Sequence, residues 1–202
     1  MAAKAKHQNG ARSGAQRKSA RPAEDAIALL KADHRKVEGL FAKYAKSKKA
    51  EQKSELARQI CQELIIHTMI EEEIFYPAVR AEVGDEALMN EAQVEHDSAK
   101  GLIIELLGGS PKDEFYDAKV TVLCEQIRHH VQEEEKRAEG MFAEAKAAGV
   151  DVKGLGAKIA QRKAELLARA KTGELPTPKR PSFQRSSGKE KGGEAQGVAL
   201  LH

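Results

Sequence analysis

Hydrophobic residues recur at steps of three and four positions from residue 27 onward, after a beginning rich in polar and small residues. Such steps are the period of an α-helix that buries one face. Glu24 and Asp25 precede this stripe and suit the first turn of a helix, whereas the run 47–50 interrupts the pattern. The pattern therefore predicts a first helix between these points. Its buried stripe consists of Ile27, Leu30, His34, Val37, Phe41 and Tyr44.

Three further helices are predicted from stripes of the same period. The second stripe consists of Leu56, Ile60, Leu64, His67, Glu71, Ile74 and Phe75, the third of Leu88, Ala92, His96, Ala99, Ile103 and Leu106, and the fourth of Tyr116, Val120, Leu123, Ile127, His130, Glu134, Ala138 and Met141. Pro77 should end or kink the second helix, a turn at 84–85 should follow it, and 108–111 and Gly149 should close the third and fourth helices. Four amphipathic helices with short connections favour an all-α fold, an antiparallel up-and-down four-helix bundle.

A shorter fifth stripe of Leu155, Ile159 and Leu166 predicts an additional helix capped by Gly173, which either packs on the bundle or projects from it. The two ends of the chain lack a lasting period and hold many Gly, Ser and Lys residues, so we expect them to be disordered. The predicted organisation is a disordered basic tail at 1–22, the bundle at 23–150, the additional helix at 151–173 and a disordered tail at 174–202.

Composition narrows the class of protein. Charged residues make up 32% of the chain and aromatic residues only 4%, which is typical of a helical protein with exposed charged faces. The net charge of +3 gives no reason to expect specific nucleic-acid binding, and no apolar run approaches the ~20 residues that span a bilayer. The beginning of the chain lacks the apolar stretch of a secretory signal. Two cysteines, Cys61 and Cys124, make no disulfide framework in a chain of this size, so we expect a cytoplasmic protein without a membrane partner. We also expect a monomer or weak dimer.

The candidate chemistry lies in the buried stripes, because each of the four helices carries one inward histidine. Helices two and four each add a glutamate four residues later, and an i,i+4 pair lies on one face of a helix. The spacing within each helical hairpin is similar, 33 residues (34 to 67) and 34 residues (96 to 130), so the histidines should lie at one level in an antiparallel bundle. Six polar groups should therefore meet in one layer of the core: His34, His67, Glu71, His96, His130 and Glu134.

Burying such a layer without a compensating positive charge would cost free energy of folding. An unpaired buried carboxylate costs several kcal/mol even after relaxation, and Glu71 and Glu134 would lie together among imidazoles. Bound cations resolve this cost. Imidazole nitrogens and carboxylate oxygens suit iron, manganese or zinc, and a carboxylate can bridge two metal ions.

The same residues occur within four segments that resemble a known family. The segments are Asp33–His34, His67-Thr-Met-Ile-Glu-Glu-Glu-Ile-Phe-Tyr-Pro77, Glu95-His-Asp97 and His130-Val-Gln-Glu-Glu-Glu135. They resemble the hemerythrin-like (HHE cation-binding) domains of the bacterial branch, over about residues 24–147. The resemblance implies an oxo- or hydroxo-bridged di-iron centre, with His34 and His67 on one iron, His96 and His130 on the other, and the two glutamates bridging.

Two departures from the oxygen-carrying members of that family bear on function. Those proteins have a second histidine four residues after the one on helix three, where this chain has Lys100, and an aspartate ligand on helix four, where this chain has Glu134. Glu38 and Glu63 are therefore reserve candidates to complete the metal shell. The resemblance implies open coordination positions, where dioxygen, nitric oxide or peroxide could bind.

Other residues have ordinary explanations. The charge runs that contain Glu72, Glu73, Glu133 and Glu135 are typical of a solvated face, and His129 should point away from its neighbour His130. Tyr44, Phe75, Tyr76, Phe115 and Met141 are interpreted as core residues rather than as the wall of a ligand pocket. Cys61 and Cys124 each precede a candidate histidine by six residues, and we interpret both as small buried hydrophobic side chains.

Three functional hypotheses follow. The leading one is a di-iron protein that binds or senses a small ligand in oxidative or nitrosative stress. The second is an enzyme at the same centre, with peroxide disproportionation, nitric oxide turnover or ferrous oxidation as its reaction. The third is a helical interaction module without redox chemistry.

Overall fold

In the computed structural model of the protein, residues 24–174 and residue 178 are described, and their secondary structure is entirely helical. The all-α prediction is confirmed for this part of the chain. The tail predicted at 1–22 lies outside the described residues. So does the tail predicted at 174–202, except for residues 174 and 178. His7 and His202 also lie outside the described residues. The helices are α1 Ala26–Lys46, α2 Ala50–Ile70, a π-helical turn Glu71–Phe75, α3 Tyr76–Val83, α4 Glu86–Gly108, α5 Tyr116–Glu135, α6 Met141–Ala147 and α7 Val152–Lys171.

The four-helix bundle consists of α1, α2 with the π turn, α4 and α5, as the sequence predicts. The helix ends follow local rules. Asp25 caps α1, since its side chain accepts a hydrogen bond of 2.8 Å from the backbone N–H of Ala28. Asp85 caps α4 in the same way, after a turn in which Gly84 has a φ of 72°. Within the described residues, no helix is both long and apolar enough to cross a membrane.

Pro77 does not end the second helix. The backbone widens into a π turn over Glu71–Phe75, in which the N–H of Tyr76 bonds to the carbonyl of Glu71, and the chain continues helically as α3. Pro77 then occupies the first turn of α3, where a missing N–H is tolerated. The π turn rotates every later side chain relative to α2, which becomes important at the candidate site.

The fourth predicted helix is interrupted, so the prediction that it continues to Gly149 is wrong. Helix α5 ends at Glu135 and the separate helix α6 begins at Met141, with Gly140 as its N-cap. A side chain at Gly140 would bring its Cβ within 2.6 Å of the backbone nitrogen of Lys136. The reversal between α5 and α6 therefore requires a glycine, and it brings Met141 and Phe142 back into the core.

The additional helix, α7, packs on the bundle against α1, α2 and the π turn. Its predicted stripe is buried, with Leu155 at 8% exposure and Ile159 and Leu166 at 0%. Gly156 allows a close approach, because a Cβ there would lie 2.3 Å from the carbonyl oxygen of Glu24. Helix α7 thus completes the apolar core at one end of the bundle.

Two apolar clusters fill the bundle, one towards each end. The first contains Leu30, Ile70 and Phe75 together with the buried face of α7. The second contains Val37 of α1, Leu64 of α2 and other residues nearer the opposite end of the bundle. A layer of buried polar side chains lies between the two clusters.

Candidate metal centre

The six side chains singled out in the sequence meet in one buried layer. Each is at most 5% exposed, and Glu71 is 0% exposed. The histidines form two pairs through their Nε2 atoms: 3.0 Å separates His34 from His67, and 3.2 Å separates His96 from His130. Their role as metal ligands stays a prediction, but the structure brings all six together.

Each of the two buried carboxylates contacts both histidine pairs. Oε2 of Glu71 lies 3.1 Å from Nε2 of His67 and 3.4 Å from Nε2 of His96. Glu134 reaches both pairs with separate oxygens: its Oε2 lies 3.3 Å from Nε2 of His34, and its Oε1 lies 3.6 Å from Nε2 of His130. The potential ligand atoms of this buried layer form two groups, and Glu71 belongs to both. This is an arrangement in which two carboxylates can bridge two cations.

Burial and nearby charges shift the pKa values of the two carboxyl groups in opposite directions. Burial and the neighbouring Glu134 raise the pKa of Glu71 well above its ordinary value. Burial also opposes ionisation of Glu134, but His130, His34 and His67 outweigh it and hold the pKa of Glu134 low. Burial likewise lowers the pKa of His67 to about 4, which favours the neutral imidazole that can bind a metal.

The buried oxygens fit a cation. Among the described residues, both oxygens of Glu71 and Oε2 of Glu134 lack a hydrogen-bond partner. Buried polar atoms are otherwise nearly always paired, and an unpaired buried carboxylate is expensive. A donor set of four imidazoles and two carboxylates suits first-row transition metals such as iron, manganese or zinc. The residues present therefore fit a metal centre.

In three of the histidines, Nδ1 contacts an outer carboxylate, that is, a carboxylate that is not one of the six residues of the layer. The distance from Nδ1 to the nearest carboxylate oxygen is 2.8 Å for His34 and Glu135, 2.9 Å for His96 and Glu72, and 2.7 Å for His130 and Glu95. Carboxylates in this position orient a metal-binding imidazole and leave its Nε2 free for the metal.

The prediction of a solvated face is therefore wrong for Glu72 and Glu135, which turn towards the histidines. Glu73, from the same run, pairs instead with Arg162 of α7 at 2.7 Å, and Glu133 lies 3.8 Å from Lys136. His129 is exposed, as expected, and its Nε2 lies 3.4 Å from Glu95.

Tyr76 belongs to the site, contrary to its interpretation as a core residue alone. Its hydroxyl donates a hydrogen bond of 3.0 Å to Oε1 of Glu134 and lies 3.2 Å from Nε2 of His96. Burial, together with Glu134 and Glu71, raises the pKa of Tyr76, so the hydroxyl keeps its proton. A regular helix would turn residue 76 away from residue 71, and only the π turn places both on the same face. The 3.6-residue period of the sequence gives no sign of it.

The reserve ligands do not join the layer. Glu38 is exposed and binds Arg35 at 3.0 Å, and Glu63 pairs with Lys36 at 2.7 Å. Neither belongs to the groups of converging ligand atoms found in the described chain. Lys100, at the position where oxygen carriers have a histidine, binds Glu72 at 2.6 Å and thereby supports the carboxylate partner of His96.

A groove between α1 and α5 leads from the surface to the centre. It has a volume of about 640 Å³, and its walls include Phe41, Ile127, Val131 and His34. A small internal void of about 10 Å³ touches all four histidines and shares Ile127 and Val131 with the groove. The groove and the void also share His34, so the groove reaches the histidine layer at His34, with Ile127 and Val131 in the wall beside it.

Comparison with known proteins agrees with the helical fold. The family model described as hemerythrin HHE cation binding domain matches residues 25–142. A crystal structure of a hemerythrin HHE cation binding domain-containing protein from Mycobacterium kansasii superposes with a TM-score of 0.61 at 25% identity, over 75% of this chain and 94% of that one.

A curated relative, a DNA nickase from Nostoc, is 31% identical over 107 residues. The match covers 53% of this chain but only 30% of the nickase. The nicking activity is therefore a property of a much longer protein.

Proposed function

The chain belongs to the hemerythrin HHE cation binding domain family, and from that membership we propose that it holds two iron ions and binds a small ligand, dioxygen, nitric oxide or peroxide, in the response to oxidative or nitrosative stress. The proposed ligands are His34, His67, His96 and His130 with the shared carboxylates Glu71 and Glu134. Tyr76 is not among the proposed ligands; its protonated hydroxyl lies beside His96 and donates a hydrogen bond to Glu134.

One observation carries the proposal: Glu71 and Glu134 each contact both histidine pairs, and three of their four oxygens are buried without a hydrogen-bond partner in the described chain. Two cations would compensate these charges and complete the coordination of each pair. The alternative explanation, a set of satisfied core histidines, leaves the carboxylates unexplained.

Iron in such a site supplies reversible coordination of small molecules and one-electron chemistry. The chain supplies the surroundings. The outer carboxylates Glu135, Glu72 and Glu95 orient the imidazoles, while apolar residues of the two core clusters exclude water. The groove between α1 and α5 offers a route for a molecule of two or three atoms, with Ile127 and Val131 at its inner end.

The decisive experiment is metal analysis of the full chain produced with ample iron. We expect two iron ions per chain and a near-ultraviolet charge-transfer absorption that azide changes. His67→Ala and Glu71→Ala should lower the iron content, whereas Glu73→Ala, which removes a carboxylate that faces Arg162 rather than the centre, should keep it. Protein that contains no iron, or variants that retain it fully, would contradict the proposal.

An enzymatic function at the same centre is the second candidate, and the hydroxyl of Tyr76 favours it. This group keeps its proton and lies within 3.5 Å of Nε2 of both His96 and His130, so it could donate a proton to a bound ligand. Steady consumption of peroxide or nitric oxide by the iron-loaded protein, lost in His67→Ala, would support an enzyme. Binding in a fixed ratio without turnover would support a carrier or sensor.

A further inference from the structure

Each histidine of the centre faces an outer carboxylate, and each of these carboxylates contacts a basic side chain in turn. Arg35 lies 2.5 Å from Glu135, which contacts His34. Lys100 lies 2.6 Å from Glu72, which contacts His96. At His130 the outer carboxylate is Glu95, and the basic group is the exposed imidazole of His129.

At His67 the basic group comes from outside the family match. The outer carboxylate is Asp33 of α1, and its Oδ1 accepts from Nζ of Lys163, a residue of α7. Helix α7 begins at Val152, beyond the matched residues 25–142. The centre therefore contacts a helix that lies beyond the residues matched by the family model.

The second oxygen of Asp33 faces the histidine. Oδ2 lies 3.8 Å from Nδ1 of His67, and both atoms are buried with no hydrogen-bond partner among the described residues. Asp33 is 5% exposed, and the ammonium group of Lys163 lies against this buried carboxylate.

We propose that Lys163 of α7 is a positioning residue for the metal centre: it holds Asp33 in place as the partner of Nδ1 of His67, and so fixes the imidazole with Nε2 directed at the metal. Without Lys163, Asp33 is a buried carboxylate with no lysine or arginine beside it in the described part of the chain, and it turns away from His67. The role in metal retention rests on the proposed function, but the role in orienting His67 does not.

Helix α7 offers a matched control. Arg162 is the neighbour of Lys163 and also ties α7 to the bundle, through two contacts with Glu73 at 2.7 and 3.1 Å. Glu73 contacts no histidine of the centre in the described structure. Arg162→Met therefore removes a comparable ion pair between α7 and the bundle without affecting an outer carboxylate.

The test compares Lys163→Met, Lys163→Arg and Arg162→Met in the full chain, each checked by circular dichroism for helix content. In metal-depleted protein, ¹⁵N–¹H spectra of the imidazoles report the tautomer and environment of His67. Lys163→Met should shift the His67 signals, and Arg162→Met should leave them in place. In iron-loaded protein, Lys163→Met should release iron to a chelator about tenfold faster than the wild type, as expected for loss of an outer partner, and Lys163→Arg should restore the slow rate.

The inference is overturned if Lys163→Met leaves the His67 signals unchanged, or if Arg162→Met disturbs them equally, because α7 would then act only through docking. If the wild-type chain takes up no iron, the proposed function fails, and the spectra of metal-depleted protein still decide the role of Lys163.

Discussion

The hydroxyl of Tyr76 donates a hydrogen bond to Oε1 of Glu134 over 3.0 Å, and this bond joins α3 to α5 across the histidine layer. It exists because the π turn over Glu71–Phe75 sets Tyr76 on the same face as Glu71. π turns of this kind are frequent at functional sites. Glu134 therefore accepts a hydrogen bond from the Tyr76 hydroxyl on one side and contacts histidine imidazoles on the other.

Replacing Tyr76 by Phe should destabilise the metal-depleted protein. The ring still fills its place, but Oε1 of the buried Glu134 loses the hydrogen bond from the Tyr76 hydroxyl. We expect the free energy of unfolding to fall by about 1–3 kcal/mol, measured by urea denaturation. Tyr44→Phe is the matched control: its hydroxyl binds Asp117 at 2.7 Å, an exposed carboxylate that water can solvate. Equal losses in the two variants would contradict a special role for the Tyr76 hydroxyl.

Glu71→Gln should have opposite effects on stability and on metal binding. The amide is neutral, so the variant avoids the cost of a buried charge in metal-depleted protein but loses a shared ligand. We expect iron to raise the thermal midpoint of the wild type and to change that of Glu71→Gln much less. Differential scanning calorimetry with and without iron measures both effects.

The stability difference between these two proteins should depend on pH. The pKa of Glu71 in the folded protein is raised well above its ordinary value of 4.5, so its contribution to stability is fully present below about pH 4.5 and is lost as pH rises through the folded pKa. Metal-depleted wild type should therefore match Glu71→Gln at low pH and become less stable than it as pH rises. A constant difference across the range would show that Glu71 ionises freely.

Much of this centre can be predicted from the sequence, because the residues that a helix buries recur with the helical period. His34, His67, His96 and His130 lie on apolar stripes with a period of 3.6 residues, and antiparallel hairpins of similar length bring them to one level. The glutamates four residues after His67 and His130 follow from the same helical geometry. These inferences need only local regularity.

The parts that the sequence does not reveal depend on local irregularity or on distant contacts. The π turn that recruits Tyr76 breaks the helical period. Glu72 and Glu135 look like surface residues because each is adjacent in sequence to an inward glutamate, and only the packing of neighbouring helices shows that they face His96 and His34. Lys163 lies 130 residues after Asp33, a separation at which no pattern within one helix can connect them.

The two cysteines should differ in reactivity, although their sequence positions are equivalent. Cys61 is completely buried in the core and burial raises its pKa to about 12, whereas Cys124 lines the groove beside α1 and is only half-buried. At pH 8 in native buffer, iodoacetamide should modify Cys124 first and Cys61 only after denaturation, as followed by peptide mass spectrometry. Modification of both thiols at one rate would show that the core near Cys61 opens readily.

Gly156→Ala should loosen α7 from the bundle. The new Cβ would lie 2.3 Å from the carbonyl oxygen of Glu24 and 3.0 Å from the backbone nitrogen of Ala26, so the helices must separate. Overpacking of this kind costs about 1–3 kcal/mol, which urea denaturation should show as a lower free energy of unfolding. Because α7 also carries Lys163, the variant should release iron faster than the wild type.

Gly101→Ala is the matched control for that substitution. Gly101 lies within α4, and a Cβ there meets no described atom within 4 Å. Alanine is favoured over glycine inside a helix by roughly 1 kcal/mol, so Gly101→Ala should raise the free energy of unfolding and leave iron release unchanged. If both substitutions stabilise the protein alike, α7 does not approach α1 as closely as Gly156 implies, and its contact with Asp33 has to be reconsidered. Opposite signs in the two variants would show that a helix outside the family match packs tightly enough on α1 to hold a partner of His67.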